Sequence, residues 1–109
     1  MSAVGLVLAS IMSIFPAAAL AQDIQAGHRI AQMWCGKCHA IGADESDPRI
    51  DVVPSFASIA RMRSTTATSL NAFLSTPHPP MPDFTLTRQE IADVSAYILS
   101  LRPRAGDRT

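Results

Sequence analysis

Trp34-Cys35-Gly36-Lys37-Cys38-His39 holds both cysteines of the 109-residue chain and one of its three histidines. Residues three apart on a helical turn share a face. That spacing turns the two thiols the same way, and the His39 imidazole follows from the same side. Five consecutive residues therefore offer two soft nucleophiles and one nitrogen ligand to whatever lies against that face.

C-x-x-C-H is the attachment signature of c-type haem. Cys35 and Cys38 can reach the two vinyl groups along one haem edge and form thioethers, and His39 is then aimed at the iron. Trp34-Cys35-Gly36-Lys37-Cys38 also reads as the W-C-x-x-C of a thioredoxin-type dithiol. That fold needs an apolar strand just before the motif, whereas residues 26–33 have helical periodicity. A zinc site would need a second ligand pair beyond two cysteines and an adjacent histidine. A plain disulfide would leave His39 without a role.

Upstream of the motif, Ile24, Gly27, Ile30, Ala31 and Trp34 recur at helical spacing over residues 24–34, with Asp23 as N-cap. Gly27 costs roughly 1 kcal/mol against Ala inside a helix, which points to close approach by another backbone. Residues 1–21 carry no charge and run apolar from Ala3 to Phe15, then Pro16 and an alanine-rich stretch to Ala21. Ala19 and Ala21 form an A-x-A-like cleavage site, although no Lys or Arg precedes the apolar run. Residues 1–21 are expected to be a signal peptide and 22–109 a single domain. The rival reading is an uncleaved anchor, since about 20 apolar residues span a bilayer. Both readings place the domain outside the cytoplasm, and the first makes it periplasmic.

The mature chain would have about 88 residues, near the size at which a protein core alone struggles to hold a fold. A buried apolar cofactor would add to that core. Nine basic and nine acidic side chains cancel, and no stretch supplies the basic patch of a nucleic-acid binder.

Downstream, residues 40–55 carry Gly42, Asp44, Ser46, Asp47, Pro48 and Pro54, a loop signature. Short helices are expected over 56–62, capped by Ser55, and over 66–75, with Leu70, Phe73 and Leu74 on one face. The second must stop at Thr76, before Pro77. Residues 88–101 give the clearest helix. Thr87 and Glu90 form a capping box, Ile91, Val94, Ile98 and Leu101 recur at three- and four-residue steps beside Tyr97, and Pro103 ends it. Residues 104–109 are expected to fray. The chain shows no strand pattern and reads as all-α.

An iron held by His39 calls for a second axial ligand from Met33, Met62, Met81, His28 or His78. Met81 is flanked by Pro79, Pro80 and Pro82, whose fixed dihedrals hold a thioether at little ordering cost. Met33 and Met62 lie at helical spacing and read as core. His78 could compete and give a bis-His site, and an open site is the remaining alternative.

With the motif, the Pro79-Pro80-Met81-Pro82 loop about 40 residues on, and the helix Glu90-Ile91-Ala92-Asp93-Val94-Ser95-Ala96-Tyr97-Ile98-Leu99, the sequence resembles the small class I monohaem c-type cytochromes of bacteria. The resemblance covers nearly all of residues 23–102. It implies a cytochrome c-like fold of short helices and loops wrapped around one covalently bound haem. It implies that the Gly27 helix crosses the last helix near Tyr97, and that the Pro54 carbonyl accepts a hydrogen bond from His39 Nδ1. One departure stands out: Ala31 occupies a position where family members often carry an aromatic.

The expected function is therefore single-electron transfer and not catalysis. Haem c and its iron are the cofactor, bound through Cys35 and Cys38 and ligated by His39 and Met81. The expected partners are a redox donor and acceptor, with the chain a monomer or a subunit of a redox complex. It would meet a membrane only if the leader stays uncleaved. Two other hypotheses remain: a thiol–disulfide oxidoreductase with Cys35 as nucleophile and Cys38 as resolving thiol, and a haem sensor in which Met81 gives way to a gas ligand.

Overall fold

The computed structural model describes residues 22–43 and 53–107, together with the isolated residue 13. The expected signal peptide, most of the polar loop before Pro54 and the last two residues lie outside the described residues.

Helix α1 spans Ile24–Ile30 and opens on Asp23, whose carboxylate accepts from the Ala26 amide at 3.0 Å. The helical pattern predicted over 24–34 does not continue as one α-helix. Residues Ala31–Cys35 form a π-helical turn, with the Gly36 amide donating to the Ala31 carbonyl at 2.8 Å. A π turn holds more residues than an α turn, so it rotates the side chains beyond it about the helix axis. After Gly27, Ile30 and Ala31, the next buried position falls on Cys35. Trp34, expected on the apolar face, is turned outward and is 47% exposed. The same turn corrects the reading of Met33 as core, since it is 59% exposed.

Helix α2 spans Phe56–Arg61, and the Ser55 hydroxyl accepts from the Ser58 amide at 3.0 Å as expected of its cap. Met62, also expected in the core, is 49% exposed. The helix ends one residue earlier and Met62 takes extended dihedrals, so helical spacing no longer directs it inward.

Helix α3 spans Ala67–Leu74. Thr66 and Ser69 cap it reciprocally, each side chain accepting from the other's amide at 3.0 and 2.8 Å. Leu70 is buried and Leu74 packs against the core, but Phe73 departs from their face and is exposed.

Helix α4, Arg88–Ser100, carries the predicted capping box: the Glu90 amide donates to Thr87 Oγ1 at 3.1 Å and the Thr87 amide to Glu90 Oε2 at 2.7 Å. A helix of this length is marginal alone, and packing sustains it. Helices α1, α2 and α3 all pack on α4. Burial of Ile91, Val94 and Ile98 stabilises the assembly by roughly 1.5–3 kcal/mol per side chain.

The α1–α4 crossing is close enough to exclude a side chain at Gly27. A Cβ there would lie 2.0 Å from the Asp93 carbonyl oxygen and 2.9 Å from Tyr97 Cβ. The crossing expected near Tyr97 is thus present. Ala31 is fully buried, so a methyl group fills the position where an aromatic is common. Asp93, itself buried, accepts from the Asp23 amide at 2.9 Å and from Gln89 Nε2 at 2.8 Å. Its negative charge sits where α1 begins, and the unpaired amides of that helix end favour an anion.

Beyond α4, Arg102 Nε donates to the Ala60 carbonyl at 2.7 Å, and its Nη2 donates to the Thr65 carbonyl. One guanidinium thereby ties the end of α4 to α2 and to the α2–α3 connection. The tail, expected to fray, carries a 3-10 turn over Ala105–Asp107. Among the described residues there is no strand.

Candidate functional site

The π turn delivers the motif into a tight reversal. The Cys38 and His39 amides both donate to the Cys35 carbonyl, at 3.1 and 2.9 Å. Both thiols are free, with Cys35 buried in the core cluster and Cys38 exposed. The two sulfurs thus differ in environment although their spacing places them on one turn. Burial pushes the Cys35 thiol above its ordinary pKa. A nucleophilic dithiol needs the opposite, a thiolate favoured by nearby positive charge or a helix N-terminus.

Three contacts fix the chain just after the motif. His39 Nδ1 donates to the Pro54 carbonyl at 2.6 Å. The Phe56 amide donates to the Ala40 carbonyl at 2.9 Å, and the Tyr97 hydroxyl to the Ile41 carbonyl at 2.6 Å. A carbonyl oxygen can only accept, so Nδ1 carries the proton, and in the neutral ring that leaves the lone pair on Nε2. This is the arrangement that prepares a neutral imidazole as a metal ligand. The His39 ring also lies against Phe56, with centroids 5.3 Å apart. Burial pushes the Tyr97 phenol above its usual pKa.

Met81 is half-buried in the connection between α3 and α4. Its amide donates to the His78 carbonyl at 2.8 Å, and a concave surface lined by Phe73, Leu74, His78, Met81, Phe84 and Leu86 surrounds it. His78 is engaged locally: Nδ1 bonds the Thr76 carbonyl at 2.7 Å and the ring stacks on Phe73 at 3.7 Å between centroids. His28 stacks on Tyr97 at 4.8 Å.

Among the described residues, no hydrogen bond or ring contact joins the His39 turn directly to Met81. A ring contact between the two segments is Trp34 against Phe84, with centroids 5.3 Å apart. Neither this pair nor the Ile41 and Phe56 anchors are evident from the sequence. An aromatic immediately before the first cysteine and another three residues after the loop methionine are the available signals.

The donor set suits a c-type haem. It comprises two free thiols on one turn, an imidazole with Nε2 available, and a thioether on a proline-bounded loop. Among the described residues, no three His, Cys, Asp or Glu side chains converge as a bare-ion site would require.

The cytochrome c family model matches residues 24–102. The chain is similar to a cytochrome c-552 of Bradyrhizobium diazoefficiens, at 41% identity over 99 residues that cover 91% of this chain and 94% of the relative. No solved structure matches.

Proposed function

This chain belongs to the cytochrome c family, and on that footing we propose that it shuttles single electrons between redox proteins outside the cytoplasm, with its haem bound through Cys35 and Cys38 and ligated by His39 and Met81. It is an electron-transfer protein and not an enzyme, and its cofactor is covalent haem c with one iron.

When bound, the haem supplies the one-electron iron couple. Cys35 would hold it from within the core, and the exposed Cys38 would hold it at the surface, where a partner can approach. His39 presents Nε2 while Pro54 holds Nδ1, so the ring is oriented before any metal arrives. The single observation that carries this assignment is that 2.6 Å hydrogen bond. The Met81 thioether is soft and favours reduced iron, which raises the potential relative to other haem ligation. Apolar surroundings act in the same direction, because the added charge of the oxidised state is costly away from water.

If His39 and Met81 both held the iron, they would leave no place on it for a substrate, which suits a carrier. Lys37 and Arg29 are exposed near the motif and can contribute to docking, but the balanced charge of the chain gives no strong one-sign field for steering. A cleaved leader over residues 1–21 would release the domain to the periplasm. Among the described residues, no helix is long and apolar enough to cross a membrane.

The test is ligand exclusion. The native reduced protein at neutral pH should titrate as a one-electron couple and show no shift of its Soret band under carbon monoxide. Ready carbon monoxide binding would mean an open iron and would favour the gas-sensor reading.

A further inference from the structure

Trp34 stands out because the sequence offers it two places that it does not occupy. It neither completes the apolar face of α1 nor belongs to an active dithiol. The π turn instead puts its ring outward, 47% exposed, against Phe84, which is itself 38% exposed. The contact joins positions 50 residues apart in the chain. One partner is bonded directly to Cys35, and the other lies three residues beyond Met81.

We propose that Trp34 and Phe84 form a latch that holds the Met81 segment against the motif-bearing turn and so sets how readily the sixth iron position opens. This rests on the reading of Met81 as the axial ligand. Trp34 and Phe84 are positioning residues, since they act on the iron only through Met81.

The segment between Met81 and α4 is shaped to present Phe84. Thr85 has φ 50°, a left-handed conformation that a β-branched residue adopts only when its surroundings require it. Asp83 Oδ1 accepts from the Thr85 amide at 3.0 Å, which holds that turn. Leu86 then packs against the core and fixes the far end. On the other side of Met81, the His78–Phe73 stack secures the approach from α3. Between these anchors, the long-range ring contact available to the segment is Phe84 on Trp34. Aromatic pairs tilted in this way and at this separation attract beyond what area burial gives. Because both rings are substantially exposed, truncating either should loosen the loop with little effect on the core.

The test uses imidazole binding to the oxidised holoprotein, which requires the methionine sulfur to leave first. Phe84→Ala should accelerate binding about tenfold, equivalent to about 1.4 kcal/mol, with the melting temperature near the parent's. Trp34→Ala should match it, and the double variant should add little to either single one. Phe84→Leu, which keeps apolar contact, should recover much of the parent rate. Binding within twofold of the parent in both alanine variants would overturn the latch. Additive effects would overturn it as well, because they would mean that the rings act separately. Met81→Leu separates the two ideas. If that variant loses the sulfur-to-iron band while Phe84→Ala leaves imidazole entry unchanged, the latch fails and the ligand assignment stands. If Met81→Leu keeps the band, both fall.

Discussion

Met81→Leu should abolish the sulfur-to-iron charge-transfer band of the oxidised protein. It should also lower the reduction potential by on the order of 0.1 V or more, within the ~0.8 V over which axial ligation tunes haem. The two side chains have similar volume, and such exchanges usually cost less than about 1.5 kcal/mol, so the fold should survive. What disappears is the soft ligand that favours reduced iron. The reduced variant should also bind carbon monoxide, because leucine leaves the iron open. An unchanged oxidised spectrum would assign the sixth position to another side chain. His78 would be the first to examine, although its ring is stacked on Phe73 and its Nδ1 is bonded to Thr76.

Gly27→Ala should be the most destabilising glycine-to-alanine change among the described residues. Its Cβ would sit 2.0 Å from the Asp93 carbonyl oxygen and 2.5 Å from the carbonyl carbon. Both are backbone atoms of α4 and cannot rotate away as a flexible side chain would. Relief requires moving α1 off α4, which would also disturb the bond from the Asp23 amide to Asp93 and the packing around Tyr97. Overpacking typically costs about 1–3 kcal/mol and occasionally more. A clash of backbone on backbone belongs at the upper end, about 3–5 kcal/mol. At roughly 4–8 °C per kcal/mol for a domain of this size, the holoprotein should melt at least ~12 °C lower. The methyl group would outweigh the helix propensity that alanine offers over glycine. A melting temperature within about 2–3 °C of the parent, as expected for an ordinary helical glycine, would mean that the crossing is looser than described.

The elements that local chemistry dictates are legible in the sequence. The Thr87–Glu90 box, the Asp23 and Ser55 caps and the stop before Pro77 depend on residues within one turn of each other, and each lies where the pattern places it. The Gly27 crossing is legible for a different reason: a glycine at an unfavourable helical position signals a steric demand. The π turn is not legible, because nothing in Ala31-Gln32-Met33-Trp34-Cys35 distinguishes it from one more α turn. Periodicity misplaces Trp34 and Met33 for that reason alone. It misplaces Met62 because a helix end shifted by one residue redirects the next side chain.

At the site, the spacing of Cys35, Cys38 and His39 is evident, and the resemblance supplies the Pro54 carbonyl. The Tyr97 hydroxyl on Ile41, the Arg102 bridge to Ala60 and Thr65, and Trp34 against Phe84 are not legible. Each joins residues at least 37 positions apart, and tertiary packing, with no local signature, selects such partners.

Sulfur–porphyrin bonds at Cys35 and Cys38 are the foundation of the electron-carrier assignment. Acid-acetone extraction of the denatured holoprotein, expressed with a haem-maturation system, tests them directly. Red colour should stay with the polypeptide, and neither cysteine should react with a thiol reagent. Haem passing into the organic phase, leaving a colourless chain with two titratable thiols, would contradict the assignment.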